Sequence, residues 1–307
     1  MLALLAPGQG AQTPGFLTPW LVDATSSALV ENWSNLIDLD LVELGTTADA
    51  DEIRETSHAQ PLLVAAGLIS AMQTFGGQNI TFDYFAGHSV GEITAASLAQ
   101  SFDGDSALTL VNARGRAMSA AATGSKTGMS AVLGGERDIV VAALVALGLT
   151  PANENGGGQI VAAGSLDALA LLAENPPAGS RVRPLAVSGA FHTSVMQPAV
   201  TTLADAAREI TVIDPVAPVI SNRDGAIITG GDELMARIVG QVAGPVRWDL
   251  CMETLAAQGV TGVIEIAPGG TLTGLVKRAQ PGIELFAIKH PDDIEGARDF
   301  ARSHGGK

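Results

Sequence analysis

ITFDYFAGHSVGE, residues Ile80–Glu92, joins a buried strand to a helix through a serine flanked by glycines. Its apolar first half, about Ile80–Ala86, has the composition of a strand buried in a sheet. The stretch that follows, Glu92–Ala99, consists mainly of residues compatible with a helix. Glycine-x-serine-x-glycine between a strand and a helix is typical of a nucleophile elbow, a tight turn that exposes the serine hydroxyl. The pattern therefore predicts an α/β fold with Ser89 as a nucleophile; the alternative is a plain turn with a helix-capping serine.

The position of Ser89 also predicts an oxyanion hole. At an elbow the backbone N–H of the next residue, Val90, points towards the oxygen that the serine attacks. The second donor must come from another loop at the same edge of the sheet. Gln9 lies between two glycines shortly after the apolar strand Leu2–Ala6, so we expect its loop to supply that donor. The alternative is a simple turn after a buried strand.

The chain on both sides of this stretch alternates apolar strands with helical patterns, which predicts a hydrolase-like, mostly parallel sheet flanked by helices. The strands expected in it are Leu2–Ala6, Ile80–Ala86, Val216–Ser221 and Gly262–Ile266. The helices expected around it are Pro19–Asn32, Ala59–Phe75, Asp105–Ala122 and Ser194–Ile210.

The middle of the chain has a different order, strand-helix-strand-strand-helix-strand, which is ferredoxin-like. Its six segments are Gly128–Leu133, Arg137–Leu147, Thr150–Asn155, Gly158–Ala163, Leu166–Ala173 and Arg181–Val187. We therefore expect a small ferredoxin-like subdomain, residues 126–192, inserted into a large α/β-hydrolase-like subdomain formed by residues 1–125 and 193–307.

Composition and charge exclude several classes of protein. The 307 residues include 17 Lys and Arg against 32 Asp and Glu, for a net charge of −15. This acidity argues against nucleic acid or an anionic membrane surface as a partner, because clustered basic residues bind both. The single cysteine, Cys251, cannot form an internal disulfide or a cysteine-rich metal site, and no metal is expected.

No segment has the features of a signal peptide or a membrane span. The N-terminal apolar stretch lacks basic residues before it and is broken at Pro7-Gly8. The longest later apolar run, Pro61–Met72, is too short to cross a bilayer. We therefore expect a soluble cytoplasmic protein, and a monomer.

One arginine, Arg114, is predicted to point into the protein. The apolar residues on its face of the predicted helix are Ala107, Val111 and Met118, at helical spacing. Arg116, two residues further on, should face solvent. A buried guanidinium requires an anion, either an internal carboxylate or the carboxylate of a ligand, and the pattern leaves both possibilities open.

A serine hydroxyl needs a base to become nucleophilic at neutral pH. The candidate bases are His58, His88, His192, His290 and His304. No acidic residue stands out as a third member of a triad. Spacing does not exclude Asp103, Asp105, Asp138 or Asp167.

Six motifs follow one another in an order that is more specific than any one of them. They are PGQGAQ at Pro7–Gln12, GHSVGE at Gly87–Glu92, ARG at Ala113–Gly115, NEN at Asn153–Asn155, GAFH at Gly189–His192 and GQVAGPVRW at Gly240–Trp248. In this order and at these spacings the chain resembles the malonyl-CoA:acyl-carrier-protein transacylase family, in particular the actinobacterial fatty-acid-synthesis enzymes. The resemblance runs from Leu2 to about Pro291.

The resemblance implies roles for the candidate residues. Ser89 would be the nucleophile and His192 the general base and then the general acid, without an acidic third member. A backbone carbonyl near Gln241 would hold His192, and the Gln241 side chain is a weaker candidate for the substrate site. Arg114 would bind the free carboxylate of malonate through a two-pronged pair.

Further residues would select or bind the substrate. In related acyltransferase domains a phenylalanine before the catalytic histidine and a small apolar residue after the serine accompany malonyl specificity, and here they are Phe191 and Val90. Asn153 and Asn155 would bond the amides of a pantetheine arm. Asparagine before a glycine run is equally usual in a turn, so that alternative stays open.

The function implied is acyl transfer in two half-reactions, from malonyl-CoA to Ser89 and then to the phosphopantetheine thiol of acyl carrier protein. No cofactor is expected on the chain itself, since coenzyme A arrives as the substrate thioester and phosphopantetheine belongs to the partner. The product would serve fatty-acid or polyketide synthesis. The alternatives are a serine esterase or thioesterase of the α/β-hydrolase type, and a catalytically silent scaffold that docks carrier protein.

An acidic carrier protein would need a local basic patch on this acidic chain. The candidate residues are Arg116, Lys126, Arg181, Arg183, Lys277 and Arg278.

Overall fold

The computed structural model describes residues 1–187 and 189–305, which form two β-sheets and the helices around them. The strands are β1 (Leu2–Ala6), β2 (Tyr84–Gly87), β3 (Thr127–Gly134), β4 (Thr150–Gly156), β5 (Gln159–Ser165), β6 (Ser180–Pro184), β7 (Val219–Ile220), β8 (Ile227–Ile228), β9 (Val246–Arg247), β10 (Gly262–Glu265) and β11 (Glu284–Ala287). The α-helices are α1 (Ala24–Ile37), α2 (Leu41–Thr46), α3 (Thr56–Phe75), α4 (Gly91–Leu98), α5 (Gly104–Ala122), α6 (Arg137–Ala146), α7 (Leu166–Glu174), α8 (Gln197–Ala207), α9 (Gly231–Gln241), α10 (Trp248–Ala257), α11 (Thr271–Ala279) and α12 (Ile294–His304). Short 3-10 helices lie at Thr18–Val22, Glu52–Arg54, Ser194–Met196 and Pro291–Asp293.

The larger sheet has six strands in the order β11-β10-β1-β2-β7-β8. Its neighbouring strands are parallel except for β7 and β8, which are antiparallel. The inner strand β1 is buried on both faces: Leu2 and Leu4 pack in one apolar cluster, whereas Ala3 and Leu5 pack in another. Because both faces are covered, every residue of β1 is apolar. The predicted hydrolase-like, mostly parallel sheet flanked by helices is confirmed.

The smaller sheet combines the predicted ferredoxin-like segment with one strand from later in the chain. Its order is β6-β3-β5-β4-β9, and the four strands β3 to β6 pair antiparallel. Helices α6 and α7 pack on it through a separate apolar cluster that includes Leu144 and Leu172. Strand β9 pairs in parallel with β4, placing Val246 opposite Asn153. The sheet therefore extends beyond the inserted segment, and the division into 126–192 and the two flanking parts stays a prediction.

Several predicted elements have different bounds in the structure, among them the strand predicted at Ile80–Ala86, which is β2, and the helix predicted at Ser194–Ile210, which is a 3-10 turn followed by α8. For two others the structure shows the physical reason. The helix predicted at Pro19–Asn32 is divided into a 3-10 turn and α1, because the carboxylate of Asp23 accepts a hydrogen bond from the backbone N–H of Ser26 at 2.8 Å and caps a new helix. The strand predicted at Val216–Ser221 shortens to β7. The backbone N–H of its first predicted residue donates to the carbonyl of Ala99 and not to the sheet.

The fold brings two loops to one edge of the larger sheet. Strands β1 and β2 are parallel neighbours, with Ala6 opposite Gly87, so the loops that follow them leave the sheet side by side. The first loop carries Gln9 and the second carries Ser89. Strands of the smaller sheet face these loops across a cleft. None of the described helices is both long and apolar enough to cross a membrane.

Candidate active site

Ser89 sits on a strained turn between β2 and α4. Its backbone has a positive φ of 53°, a conformation that costs energy for a residue with a side chain. The flanking glycines are required by close backbone contacts: a Cβ at Gly87 would lie 1.9 Å from the carbonyl oxygen of Gly91, and one at Gly91 would lie 2.3 Å from the carbonyl oxygen of Ala6. The turn therefore has the strand–turn–helix geometry of a nucleophile elbow.

The side chain of His192 lies against the serine hydroxyl. Its Nε2 is 2.8 Å from Ser89 Oγ, and its Nδ1 is 3.0 Å from the backbone carbonyl oxygen of Gln241. The carbonyl accepts the Nδ1 hydrogen, which leaves Nε2 free to accept the hydroxyl proton. Burial and the positive charge of Arg114 lower the pKa of His192 to about 3, so the imidazole is neutral at physiological pH. A neutral imidazole in this tautomer can act as a general base.

None of the four candidate aspartates contacts His192 in the described part of the chain. Asp103 caps α5 by accepting from Ser106, and Asp105 accepts from the indole of Trp33. The others are Asp138, which pairs with Arg137, and Asp167, which is exposed in the first turn of α7. The serine and histidine therefore form a dyad, in which a backbone carbonyl takes the orienting place of an acid.

Arg114 reaches the same hydroxyl from helix α5. It is 1% exposed, and the three apolar residues of its predicted face are buried with it, whereas Arg116 is exposed. Its Nη2 is 3.1 Å from Ser89 Oγ and 2.8 Å from Gln241 Oε1, and its Nη1 is 2.5 Å from Gln60 Oε1. These partners are neutral oxygens. Among the described residues no carboxylate pairs directly with Arg114.

The charge of this guanidinium persists despite its burial. Desolvation lowers the pKa of Arg114 to about 10, with the negative charge of Glu92 opposing that change. At neutral pH the arginine is therefore cationic, buried and held only by amide and hydroxyl oxygens. Such a group favours an anionic ligand in the adjoining space.

A hydrogen-bonded network beneath the elbow was not predicted from the sequence. Asn222 accepts the Ser89 N–H through Oδ1 and donates through Nδ2 to the Gly87 carbonyl, both at 2.7 Å. Glu92 accepts the backbone N–H of Asn222 at 2.7 Å. Gln241 donates through Nε2 to the other carboxylate oxygen of Glu92 and, at 3.1 Å, to the Ser89 carbonyl. The network holds the strained turn from below.

Weak signals for these residues exist in the sequence. Gln60 is a polar residue near the start of the mainly apolar predicted helix Ala59–Phe75, and Asn222 follows directly after a predicted strand. Glu92 belongs to the elbow motif but has no spacing that assigns it a partner. Only the fold shows that all three meet the elbow or Arg114.

The predicted oxyanion-hole residues lie on the two loops that the sheet brings together. Gln9 and Val90 both line the cavity beside Ser89. Gly8 permits the close approach of the first loop, because a Cβ there would lie 2.7 Å from the carbonyl oxygen of His88. The side chain of Gln9 is occupied elsewhere, since its amide donates to the carbonyl of Arg54 at 3.2 Å. Its backbone N–H is thus the group available to an oxyanion.

The cavity at the dyad has a volume of about 280 Å³. Phe191, 5% exposed, forms part of its wall next to His192. The other apolar lining residues include Val90, Met118, Met129, Val161, Leu185 and Val187. The cavity combines an apolar wall with the cation of Arg114 at its inner end.

The two asparagines of the NEN motif differ in the structure. Both lie within β4, so the turn interpretation is wrong for them. Asn153 lines the cavity, and its buried Oδ1 has no hydrogen-bond partner. Asn155 instead bonds to His88 Nε2 at 2.8 Å and donates to Gln159 Oε1 at 3.3 Å. Irregular pairing of β4 with β5 on both sides of Asn153 breaks the regular alternation of side chains.

A strained serine, a neutral imidazole and a cation around one small cavity, on a hydrolase-like sheet, are the set of groups that acyl transfer through a serine ester requires. Comparison with known families agrees with this class. The chain belongs to the acyl transferase domain family, whose model matches residues 5–285.

Known relatives are similar over almost their whole length. A curated relative, malonyl CoA-acyl carrier protein transacylase of Mycobacterium tuberculosis (strain ATCC 25618 / H37Rv), is 47% identical over 300 residues, which cover 96% of this chain and 98% of the relative. The crystal structure of MCAT from Mycobacterium tuberculosis has a TM-score of 0.92 at 47% identity, covering 96% of this chain and 99% of that one. A malonyl-transacylase solved in complex with its type II PKS acyl-carrier protein has a TM-score of 0.90 at 29% identity, covering 97% of this chain and 99% of that one.

Proposed function

We propose that this acyltransferase moves the malonyl group from malonyl-CoA to the phosphopantetheine thiol of acyl carrier protein, through a malonyl ester of Ser89, for fatty-acid synthesis. The observation that carries the proposal is the guanidinium of Arg114, cationic and without a carboxylate partner, 3.1 Å from the Ser89 hydroxyl. The names of the similar relatives, malonyl CoA-acyl carrier protein transacylases, support the same substrate and acceptor.

The first half-reaction uses the dyad. His192 takes the Ser89 proton as the hydroxyl oxygen attacks the thioester carbonyl, and the backbone N–H groups of Gln9 and Val90 hold the resulting oxyanion. Collapse of the tetrahedral intermediate breaks the carbon–sulfur bond, and His192 returns the proton to the sulfur. Loss of one oxyanion donor typically costs about 3 kcal/mol of transition-state stabilisation.

Arg114 selects the acyl group in this proposal. The malonyl carboxylate would bind the guanidinium directly, beside the serine. An acetyl group would leave the buried cation without an anion in direct contact. A site built around a polar partner rejects an analogue that lacks it by on the order of 10⁴-fold. Phe191, in the adjoining wall, would limit the room for a larger acyl group.

The second half-reaction reverses the first with a different thiol. His192 deprotonates the thiol of the carrier's phosphopantetheine arm, and the sulfur attacks the malonyl ester. The bond between the acyl carbon and Ser89 Oγ breaks, and His192 gives the proton to the departing Oγ. Coenzyme A and the carrier each contain a phosphopantetheine arm, so the same contacts of the enzyme would bind the arm of either one. The unpartnered Oδ1 of Asn153 supports a hydrogen bond to an amide N–H of the arm. All of these steps use side chains and backbone of the chain itself, and no resident cofactor enters them.

The carrier protein would dock near one pair of exposed arginines. Arg181 and Arg278 line the same cavity of about 640 Å³, formed by glycines of the β4–β5 turn and of the loop before β6. Neither forms an ion pair within the described residues, in contrast to several other arginines. This local positive pair supports docking of an acidic partner against the negative charge of the whole chain. A cytoplasmic location, where such a partner would be met, stays a prediction.

Intact mass spectrometry after exposure to malonyl-CoA or acetyl-CoA tests the proposal. The wild-type chain should gain one malonyl group, and Ser89→Ala should gain none. Arg114→Ala should lose the preference for malonyl over acetyl. Steady hydrolysis of malonyl-CoA without an adduct would instead support the esterase or thioesterase alternative, which membership of the acyl transferase domain family disfavours.

Docking is tested separately by reversing charge. Arg181→Glu combined with Arg278→Glu should slow transfer to carrier protein while leaving formation of the malonyl-enzyme unchanged. Arg302→Glu, on the exposed side of α12, is the matched control. Equal transfer rates for both variants would overturn the docking assignment.

A further inference from the structure

Glu92 is a buried acid beneath the nucleophile to which the mechanism above gives no task. It lies in the first turn of α4 and is 1% exposed. One of its oxygens accepts the backbone N–H of Asn222, and the other accepts Nε2 of Gln241. Both of its oxygens therefore accept hydrogen bonds from donors inside the protein, whereas a neutral amide in its place would offer only one acceptor.

A single amide connects this acid to the substrate-binding arginine. Gln241 donates through Nε2 to Glu92 and accepts through Oε1 from Arg114 Nη2 at 2.8 Å. The two ends of the amide are thus oriented by a negative group on one side and a positive group on the other. Glu92 is the negative charge that compensates Arg114 at longer range.

Arrival of a carboxylate at Arg114 changes this balance. Before a substrate binds, the site holds one cation, one acid and a neutral His192. A malonyl carboxylate at the guanidinium adds a second negative charge to a buried space with a single central cation. Buried ionisable groups respond to such a charge by changing protonation, because an unpaired buried charge is costly.

Glu92 is the group best placed to respond. Burial raises the pKa of Glu92 to about 7, against the hydrogen bonds from Asn222 and Gln241 and the charges of Arg114 on α5 and Arg237 on α9. The titratable group facing it from α10 is the thiol of Cys251, whose pKa is raised by burial, so it is already protonated. His192, with a pKa near 3, is far from titrating at neutral pH.

We propose that Glu92 is the resident counter-charge of Arg114 and takes up a proton from solvent when the malonyl carboxylate binds that arginine. The inference rests on the proposed malonyl transfer. Thioester exchange itself is proton-neutral, since the Ser89 proton leaves with the thiol of coenzyme A. Loading of an anionic acyl group is therefore coupled to net proton uptake, and loading of a neutral one is not.

The direction in which malonyl binding changes with pH follows from its coupling to protonation of Glu92. A ligand that favours the protonated form of Glu92 binds better as pH falls through the pKa of that group. The ratio of kcat/KM for malonyl-CoA to that for its neutral carboxamide analogue, malonamyl-CoA, should therefore fall by up to about tenfold for each pH unit above that pKa. In Glu92→Gln the ratio should be independent of pH in the same range.

Proton uptake during a single turnover tests the coupling directly. A pH indicator in weak buffer reports uptake after mixing with malonyl-CoA, with malonamyl-CoA as the matched control and the adduct quantified by mass in the same sample. Near pH 7, where Glu92 is half ionised, uptake should approach about half a proton per malonyl adduct and be absent with the carboxamide. An adduct without uptake across the neutral range overturns the inference, whereas absence of the adduct overturns the proposed function.

A second measurement assigns the proton to its residue. Glu92→Gln should form the malonyl adduct without uptake, and persistent uptake in that variant would place the proton elsewhere. If the variant does not fold, infrared spectra of wild type labelled with ¹³C-glutamate serve the same purpose. The isotope-shifted C=O band of a protonated side chain should appear on malonylation and not with the carboxamide analogue; failure of that band to appear counts against Glu92.

Discussion

The two walls of the cleft are built in opposite ways. The floor, formed by the larger sheet and its helices, contains polar side chains that bond to one another, namely the half-buried Ser89 and the buried Glu92, Arg114, Asn222 and Gln241. The roof, formed by the smaller sheet and the segment after it, is mainly apolar: Met129, Asn153, Val161, Leu185 and Val187. Among these ten residues only Asn153 has a buried polar side-chain atom without a partner in the described part of the chain.

The floor holds the groups that we propose carry out the reaction, whereas the roof holds the surface that we propose binds the arm of the substrate. The floor is organised before any substrate arrives, and preorganised dipoles and charges are what stabilise developing charge without further cost. The roof has an apolar surface and one buried acceptor without a hydrogen-bond partner, the Oδ1 of Asn153. These features suit a flexible arm that carries few polar groups. The bond between His88 and Asn155 connects the two walls directly behind the serine.

The largest expected effect comes from breaking the floor at its centre. Ser89→Ala and His192→Ala each remove one half of the dyad, and each should lower transfer to carrier protein by on the order of 10⁴-fold or more. Malonyl adduct formation and carrier loading, both measured by intact mass, check this. Full carrier loading by Ser89→Ala would contradict every enzymatic interpretation and favour the scaffold alternative.

Removal of the floor's cation should change specificity more than turnover. In Arg114→Ala the preference for malonyl-CoA over acetyl-CoA should collapse by on the order of 10⁴-fold, because the carboxylate loses its partner. Competition between the two thioesters, read out as the ratio of adducts, measures the effect. Arg116→Ala is the control on the same helix, since that side chain is exposed. An unchanged ratio in Arg114→Ala would show that selection occurs elsewhere.

The positive charge of Arg114 should also affect how enzyme activity depends on pH, because it contributes to lowering the pKa of His192. With the pKa of His192 lowered to about 3, the base stays unprotonated well below the usual range of histidine, so activity with a neutral acyl-CoA should remain flat down to about pH 4. An ordinary histidine would cost such activity about tenfold for each unit below its pKa near 6.5. In Arg114→Ala the acid limb should move upwards, because the arginine's charge contributes to lowering that pKa. If the activity of the wild type instead declines as pH falls below about 6.5, the low pKa of His192 is contradicted.

The smallest effects should come from substitutions of two asparagines of the roof, Asn153 and Asn155. The first should affect substrate binding and the second the stability of the fold. Asn153→Ala should raise KM for malonyl-CoA by about fivefold, equivalent to one modest hydrogen bond, with kcat and thermal stability unchanged. Asn155→Ala should lower thermal stability, because it leaves the partly buried His88 without its partner at a cost of about 1 kcal/mol. Steady-state kinetics and thermal unfolding of both variants test this, and identical behaviour of the two would remove the distinction.

Several of these features followed from local patterns in the chain. The elbow depends on glycines and a serine within five consecutive residues, and the inward direction of Arg114 depends on helical spacing over three turns. The order of strands in the small sheet followed from alternating short segments. All of these are properties of neighbours in sequence, where the geometry of the backbone alone determines which side chains share a face.

Other features depended on residues distant in the chain and carried no local pattern. Strand β9 has two residues, too few to show periodicity, and it joins a sheet whose other strands end more than sixty residues earlier. The motif predicts one role for Asn153 and Asn155, but irregular pairing of β4 with β5 gives the two side chains different partners.

The amino-acid sequence was sufficient to predict the serine, the histidine and the arginine that meet at the cavity, because strand, turn and helix signals and the order of motifs are local properties of the chain. It was not sufficient to show what compensates the charge of that cation. Glu92, Asn222 and Gln241 meet only after the larger sheet has formed and α9 has packed against α4. Hydrogen bonds and buried charges act over a few ångströms in space, whatever the separation in sequence, so this network exists only in the folded protein.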